Sequence, residues 1–451
     1  MPKDPAEINA RLQQILRENA QKANPLHSQF LRLQETSLEQ LAGLLEMQIH
    51  LAAGGDLPAA PPPTATPARE PVFTREQLEE FATRSMAKCF GPEFEIYEHR
   101  RHPRIPNGDL LLMSRIVEIT GRRGEFEQPA GILAEYDVPV DAWFYQNRNF
   151  SSLPYSVWME IALQPCGFLA AYLGTPLLFP DVDFYFRNLD GSARVHSDAD
   201  VRGETVAVRA TLLSTVASGS TVIQKFNFEC SCRGQVVFEG QSIFGFFPPE
   251  TMAAQAGLDG GKTVQPQYES RAHAGLAGEW IHLNDPGTAA RVFSAAPERP
   301  NERLLGGQMH FLDRVFIAEP GIDGRPAYLH GLRANDPQFW FYACHFAQDP
   351  VMPGSLGVEA ILEAAQLYAL RAGLTRGFRS PMFGLALDRP MTWKYRGQIL
   401  PSHRQMKVDV HITAVERAAG HVTLLLDASL WADATRIYEI KNAGVRLREM
   451  G

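Results

Sequence analysis

The chain has 451 residues, of which 45% are hydrophobic and 21% charged, a composition typical of a globular protein. Its 51 acidic side chains outnumber its 43 basic ones, giving a formal net charge of −8. Nucleic-acid-binding proteins concentrate Lys and Arg to displace counterions, so this charge argues against a nucleic-acid partner. The sequence contains neither the roughly 18 uninterrupted apolar residues of a membrane span nor the apolar core of a secretory signal. We therefore expect a cytoplasmic protein without a membrane span.

Two segments are predicted before the main body of the chain. A single apolar stripe at helical spacing runs along residues 1–56, formed by Leu31, Leu38, Leu41, Leu45 and Ile49. Such an amphipathic helix could pair with another chain or dock on the main body, and a helix packed on its own domain fits equally well. Residues 57–71 are rich in Pro and Ala and are predicted to form a stiff, extended linker.

From residue 72 onward the chain contains a weak internal repeat with a period of about 200 residues. Three pairs of segments correspond: residues 113–117 with 312–316, 143–145 with 340–342, and 154–160 with 353–359. Later segments of each half alternate apolar and polar residues, which predicts antiparallel strands. Each unit should therefore be an α+β layer in which a sheet covers one long helix. We place the two units at residues 72–262 and 263–451.

The predicted second-half helix is apolar on almost every side, except for one narrow polar face. Glu359, Glu363 and Gln366 form this face at positions i, i+4 and i+7. In the first half, Glu160 and Gln164 interrupt the corresponding helix in the same way. The face could be exposed to solvent or could carry a functional carboxylate, and the pattern alone does not decide between them.

The segment before the second helix favours a functional site. His345 is predicted to follow an aromatic strand, and Gly354 and Ser355 then stand at the helix N-terminus. Free N–H groups at a helix start can polarise a carbonyl oxygen, and glycine lets a substrate approach the backbone closely. An imidazole can remove a proton from the carbon next to that carbonyl. Cys344 is not expected to form a dyad with His345, because neighbours on a strand point to opposite faces.

The run from His345 to Glu359, HFAQDPVMPGSLGVE, closely resembles the active-site motif of the 3-hydroxydecanoyl-acyl-carrier-protein dehydratases, which have the hot-dog fold. From about residue 75 to residue 449, the chain resembles the dehydratase regions of bacterial polyunsaturated fatty acid synthases and iterative polyketide synthases. The resemblance implies a double hot-dog, in which two fused units each wrap an antiparallel sheet around a long central helix. The leading helix and linker resemble an inter-domain connector of such synthases.

The resemblance also implies a site shared between the two halves. In hot-dog dimers, the histidine of one unit works with the helix acid of the other, an aspartate at the position of Glu359. His345 should therefore face Glu160, with Glu359 kept as the alternative acid. The first half has Gln146 and residues 147–149 where a histidine would stand, so its own site should be inactive.

Three further residues are assigned to substrate binding by the same resemblance. Gln164 follows Glu160 by four positions, as in the acid-x-x-x-Gln pattern of the family. Gly354 and Ser355 are expected to hold the oxyanion or the substrate. Neither a metal nor an organic cofactor is expected, because side chains perform both proton transfers. The five cysteines, none in a CxxC pair, likewise suggest no thiolate metal site.

The activity implied is dehydration of 3-hydroxyacyl thioesters to 2-enoyl thioesters in polyunsaturated fatty acid or polyketide biosynthesis. The substrate would be carried on the phosphopantetheine of an acyl carrier protein, with other synthase domains as further partners. Isomerisation of 2-trans to 3-cis enoyl chains fits the same motif. Two alternatives remain, a hot-dog acyl thioesterase and a non-catalytic acyl-binding or scaffold module.

Overall fold

The computed structural model describes residues 70–146, 153–270 and 275–449. The predicted leading helix, residues 1–56, lies outside these ranges, as does nearly all of the predicted linker, residues 57–71. Asn147, Arg148 and Asn149 also lie outside them. Within the described part of the chain, no helix is long and apolar enough to cross a membrane.

Two long helices dominate the helical structure of the described residues. The α-helices are α1 (Arg75–Thr83), α2 (Met86–Phe90), α3 (Tyr155–Tyr172), α4 (Pro249–Ala253), α5 (Pro286–Phe293), α6 (Trp340–Cys344) and α7 (Gly354–Arg371). Helices α3 and α7 have 18 residues each and are buried on almost every side. Apolar residues surround both helices, as expected for helices enclosed by the protein.

The strands of the described residues belong to one continuous antiparallel sheet. The strands of the first half are β1 (Arg115–Thr120), β2 (Ala130–Asp137), β3 (Tyr185–Val195), β4 (Thr205–Ser218), β5 (Thr221–Cys232) and β6 (Gln235–Phe247). Those of the second half are β7 (Glu279–His282), β8 (Arg314–Ala318), β9 (Ala327–Ala334), β10 (Pro381–Leu385), β11 (Met391–Tyr395), β12 (Gln405–Ala418), β13 (His421–Ala432) and β14 (Thr435–Glu449). Their order is β1-β2-β4-β5-β6-β3-β11-β14-β13-β12-β9-β8-β7, and β10 pairs with β14.

The strand order divides the sheet into two halves, each of which covers one long helix. Helix α3 packs against β2, β4, β5 and β6, and helix α7 packs against β9, β12, β13 and β14. The alternating apolar residues of these strands face the helices, for example in β2, where every second residue is buried. The predicted α+β double hot-dog is confirmed. The boundary at residues 262 and 263 remains a prediction.

Strands β3 and β11 join the two halves at a seam in the middle of the sheet. Gly191 of β3 lies opposite Trp393 of β11. A Cβ atom on Gly191 would lie 2.0 Å from Cζ2 of Trp393, so only glycine leaves room for the indole ring. The indole Nε1 donates a hydrogen bond to Asn188 Oδ1 at 2.6 Å, which further fixes the ring across the seam.

Candidate active site

The two long helices contact each other through a reciprocal pair of hydrogen bonds. Ser355 Oγ of α7 donates to Glu160 Oε1 of α3 at 2.6 Å. Ser156 Oγ of α3 donates to Glu359 Oε2 of α7 at 2.7 Å. In each helix the serine precedes the glutamate by four residues, so the contact has an approximate two-fold symmetry that matches the internal repeat.

The polar faces of both helices are buried. Glu160 is 8% exposed and Glu359 is 2% exposed, so the interpretation of these faces as solvent-exposed is wrong. Glu363 accepts hydrogen bonds from the Phe311 backbone N–H at 2.8 Å and from His310 Nδ1 at 2.7 Å. These two hydrogen bonds compensate for the burial of the Glu363 carboxylate.

Gln164 has the corresponding position on α3, and its contacts fix it beside Glu160. Its side-chain oxygen accepts a hydrogen bond from the Leu112 backbone N–H at 2.9 Å, and Nε2 donates to the Leu110 carbonyl at 2.7 Å. The same Nε2 lies 3.2 Å from Glu160 Oε2. Gln164 therefore holds one oxygen of Glu160, while Ser355 holds the other.

The segment leading to His345 differs from its prediction. Residues Trp340–Cys344 form the short helix α6 rather than an aromatic strand, and His345 directly follows this helix. The ring Nδ1 of His345 lies 3.1 Å from the Val351 carbonyl oxygen. Because a carbonyl can only accept, Nδ1 carries the proton, and Nε2 of the neutral ring is left as the basic nitrogen.

One cavity of about 90 Å³ contains both His345 and Glu160. Residues of the two halves line it together, among them Glu160, Gln164, Gly167, Phe186 and Phe244 from the first half and His345, Met352, Gly354, Ser355 and Tyr395 from the second. The wall is mainly apolar, with a few polar side chains among its residues. This arrangement is typical of a site that binds an apolar ligand in a fixed orientation.

Burial shifts the pKa values of His345 and Glu160 in opposite directions. Desolvation lowers the pKa of His345 from 6.5 to about 4, although its hydrogen bond to Val351 acts in the opposite direction. Desolvation raises the pKa of Glu160 above its usual value, while hydrogen bonds from Ser355 and Gln164 lower it. Burial thus favours a neutral imidazole and a protonated carboxyl in the same cavity.

Gly354 begins helix α7 at the wall of this cavity. The first N–H groups of a helix have no acceptor within the helix and point outward from its positive end. The absence of a side chain is required here, because a Cβ on Gly354 would lie 2.6 Å from Cε2 of Tyr395. Gly354 thus makes room for the Tyr395 ring and also lines the cavity, where N–H groups at a helix start are suited to polarise a carbonyl oxygen.

The surroundings of Glu359 differ from those of Glu160. Tyr155 stands at the start of α3, where α7 has Gly354, and its ring packs edge-on against Phe238. Glu359 does not line the cavity that contains His345. Gln146 ends a short turn at Trp143–Tyr145, and the rest of the segment expected to replace a histidine lies outside the described residues.

Sequence reasoning missed both the Ser–Glu hydrogen bonds between the helices and one arginine–aspartate ion pair. Arg187 of β3 forms a two-point ion pair with Asp349, which lies in the loop between His345 and α7. No local pattern in the sequence marks Arg187 as the partner of Asp349. Among the described residues, no group of His, Cys, Asp and Glu side chains is arranged to hold a metal ion.

Fold and site together define a double hot-dog protein with a composite His–Glu cavity. Residues 304–441 match the family model of the FabA-like domain, and this segment contains His345, Gly354 and Ser355. Over these residues, the match confirms the resemblance inferred from the motif.

Known proteins similar to the chain include one curated relative, a polyunsaturated fatty acid synthase polypeptide of Thraustochytrium sp. It is 36% identical over 396 residues, which are 85% of this chain and 26% of the relative. The chain thus spans about a quarter of that protein. Among solved structures, the dehydratase domain from the CurJ module of curacin polyketide synthase has 10% identity and a TM-score of 0.41, covering 76% of this chain and 98% of that one. The 12:0-ACP thioesterase from Umbellularia californica has 11% identity and a TM-score of 0.37, covering 71% and 94%.

Proposed function

We propose that the protein dehydrates 3-hydroxyacyl thioesters to 2-enoyl thioesters, using His345 as the base and Glu160 as the acid. The observation that carries this proposal is the shared cavity, in which a neutral imidazole, a buried carboxyl and the start of helix α7 lie together. Dehydration next to a thioester needs these three elements: a base for C2, an acid for the 3-hydroxyl and a donor for the carbonyl oxygen.

In the proposed reaction, N–H groups at the Gly354 end of α7 hydrogen-bond the thioester oxygen and stabilise the negative charge that develops there. His345 Nε2 removes the C2 proton, and the electron pair of that C–H bond forms the C2–C3 double bond. The C3–O bond breaks, and Glu160 gives its proton to the departing hydroxyl, which leaves as water. His345 ends as imidazolium and Glu160 as carboxylate, so a net proton transfer between them resets the site.

Glu160 is favoured over Glu359 as the acid because Glu160 lines the cavity with His345 and Glu359 does not. Gln164 and Ser355 hold the two carboxyl oxygens of Glu160 and thereby fix the orientation of the carboxyl group. The apolar tail of the substrate would follow α3 past Gly167 and Phe186, which both line the cavity.

The proposed substrate is carried on the phosphopantetheine arm of an acyl carrier protein within a polyunsaturated fatty acid or polyketide synthase. The similarity to the polyunsaturated fatty acid synthase of Thraustochytrium sp. supports this setting, and other synthase domains would be further partners. The mechanism needs no metal or organic cofactor, since side chains carry both protons. We also propose a cytoplasmic location, on the basis of the similarity to that synthase.

Mass spectrometry of products from a 3-hydroxyacyl carrier protein tests the proposal. Wild type should release water, while His345→Ala and Glu160→Gln should lower the rate by at least ~100-fold, the usual size of a general acid or base contribution. Glu359→Gln is the matched control and should stay within about threefold of wild type.

Each other outcome points to a different assignment. A Glu359→Gln variant that is inactive while Glu160→Gln retains activity would place the acid on α7. Release of free acid from the carrier would identify a thioesterase, and no turnover by wild type would favour an acyl-binding module. The position of the product double bond distinguishes dehydration alone from dehydration followed by isomerisation.

A further inference from the structure

Two arginine–aspartate pairs of the same type connect the halves near the seam. Arg187 Nη1 and Nη2 lie 2.5 and 3.0 Å from the two carboxylate oxygens of Asp349. Arg396 Nη1 and Nη2 lie 2.9 Å from each oxygen of Asp190. In both pairs, the partners come from different halves and meet through two parallel hydrogen bonds, which is the strongest geometry for such a pair.

The two ion pairs differ in burial and in their position relative to the cavity. The side chains of Arg187 and Asp349 are 9% and 15% exposed, whereas those of Arg396 and Asp190 are 34% and 35% exposed. Arg187 also lines the cavity that contains His345, and Arg396 does not. A second cation near Asp349, Arg101, makes a single contact at 3.6 Å and is 33% exposed. Arg187 is therefore the main partner of Asp349.

Asp349 lies within the loop that orients the imidazole of His345. The backbones of Phe346 and Asp349 exchange two hydrogen bonds of 3.1 Å, which close the loop into a tight turn. Val351 follows this turn, and its N–H donates to the His345 carbonyl at 2.7 Å. The Val351 carbonyl in turn accepts the ring Nδ1 hydrogen bond. A displacement of Asp349 would therefore change the position of the group that holds the ring.

We propose that Arg187 of the first half is a positioning residue for His345 of the second half, acting through Asp349. The inference rests on the proposed function, since it assigns a supporting residue to the same base. By this contact, the half that lacks a matching histidine supplies both the acid on α3 and the anchor on β3.

The electrostatic consequence of the contact has a definite sign. Arg187 lowers the pKa of His345 and Asp349 raises it, in addition to the larger effect of burial. Removal of the Arg187 charge should thus raise the pKa of His345, and removal of the Asp349 charge should lower it. The other charged and titratable side chains that line the cavity with His345 are Glu160, Arg104, Arg187, Tyr395 and Tyr438.

The experiment compares Arg187→Gln with Arg396→Gln in the full chain. Two quantities are measured: the pH dependence of kcat for dehydration, and the pKa of His345 by NMR of protein carrying isotope-labelled histidine. For Arg187→Gln we expect kcat to fall between about tenfold and about a hundredfold with KM within about threefold, and the acidic limb to move to higher pH. Arg396→Gln, which breaks the same kind of pair away from the loop, should leave both quantities unchanged.

Two further variants keep the test decisive. Asp349→Asn should shift the pKa of His345 in the opposite direction from Arg187→Gln. Arg187→Lys keeps the charge but loses the two-point contact, so it should lower kcat with little change in the pKa of His345. This variant replaces Arg187→Gln in the test if Arg187→Gln does not fold. Equal losses in the Arg187 and Arg396 variants, or an unmoved His345 pKa in Arg187→Gln, would overturn the proposal. The NMR measurement does not need turnover, so failure of the proposed function would be recognised separately.

Discussion

At the scale of single residues, the acidity of Glu160 depends on opposing effects of its surroundings. Burial raises the pKa of this carboxyl, while the hydrogen bonds donated by Ser355 and Gln164 lower it by stabilising the ionised form. The proposed acid is active only while protonated. The alkaline limb of the pH profile should therefore report the pKa of Glu160, and the acidic limb that of His345.

Ser355→Ala should move the alkaline limb of kcat/KM to higher pH. The substitution removes the 2.6 Å hydrogen bond that favours the carboxylate, so the protonated form of Glu160 persists further up the pH scale. Loss of one hydrogen bond to a charged group corresponds to about one pKa unit. The measurement is the pH dependence of kcat/KM for wild type and variant over the range in which both remain folded.

Ser156→Ala is the matched control for this prediction. Ser156 makes the symmetry-related hydrogen bond to Glu359, which does not line the cavity with His345. We expect its alkaline limb to coincide with that of wild type. A shift of equal size in both serine variants would mean that the limb reports the contact between the two helices rather than Glu160.

The residues of the site differ in how far the sequence reveals them. His345, Gly354 and Ser355 belong to one contiguous motif, and Glu160 follows from that motif through the internal repeat. Arg187 could not be predicted, because it lies 162 positions from Asp349 on a strand with no distinctive pattern. The two hydrogen bonds between serine and glutamate that join the helices also have no sequence signal, since they depend on how two buried helices cross.

At the scale of secondary-structure elements, the seam between β3 and β11 determines how the halves meet. Gly191→Ala should lower the free energy of unfolding by ~1–3 kcal/mol, the usual cost of overpacking. The added methyl group would lie 2.0 Å from Trp393 Cζ2, and the indole ring is held by its hydrogen bond to Asn188. The free energy of unfolding, or the midpoint of thermal unfolding, measures the loss.

Ser192→Ala provides the comparison on the same strand. Ser192 neighbours Gly191 and lies opposite Thr392 in β11, and the substitution adds no atoms to the seam. Its stability should stay close to that of wild type, within about 0.5 kcal/mol. If Gly191→Ala were as stable as Ser192→Ala, the indole ring would have space to move, and the glycine would not be required there.

The elements were predictable where their periodic pattern is long. The alternating segments predict the antiparallel strands, and the long, almost wholly apolar segments predict the two buried helices. The prediction of a strand at helix α6 is wrong because three of its five residues are aromatic and favour strands, and five residues are too few to show a helical period. Its conformation depends on tertiary packing, which includes an edge-on contact between Trp143 and Trp340 at 4.9 Å.

At the scale of the whole molecule, the approximate two-fold symmetry places two similar carboxyls in different environments. Glu160 lines the cavity with His345, while Glu359 is 2% exposed and lies outside that cavity. Desolvation raises the pKa of Glu359 from 4.5 to about 7, with a smaller contribution of the same sign from Glu363. The folded protein therefore holds a proton at Glu359 over a pH range in which the unfolded chain has released it.

This difference makes stability depend on pH with a predictable sign. Because the pKa is raised in the folded state, the wild type loses stability as pH rises from about 4.5 through about 7. Glu359→Gln cannot ionise, so relative to wild type it should gain about 2–3 kcal/mol between pH 5 and pH 8. Chemical unfolding of both proteins at the two pH values measures the gain. Any pH-independent effect of the amide on stability cancels when the difference between variant and wild type at pH 5 is subtracted from that at pH 8. A variant whose stability relative to wild type is the same at both pH values would show that Glu359 is ionised in the folded protein. The ionised carboxylate of Glu359 would then have to be stabilised in the folded protein by more than its hydrogen bond from Ser156.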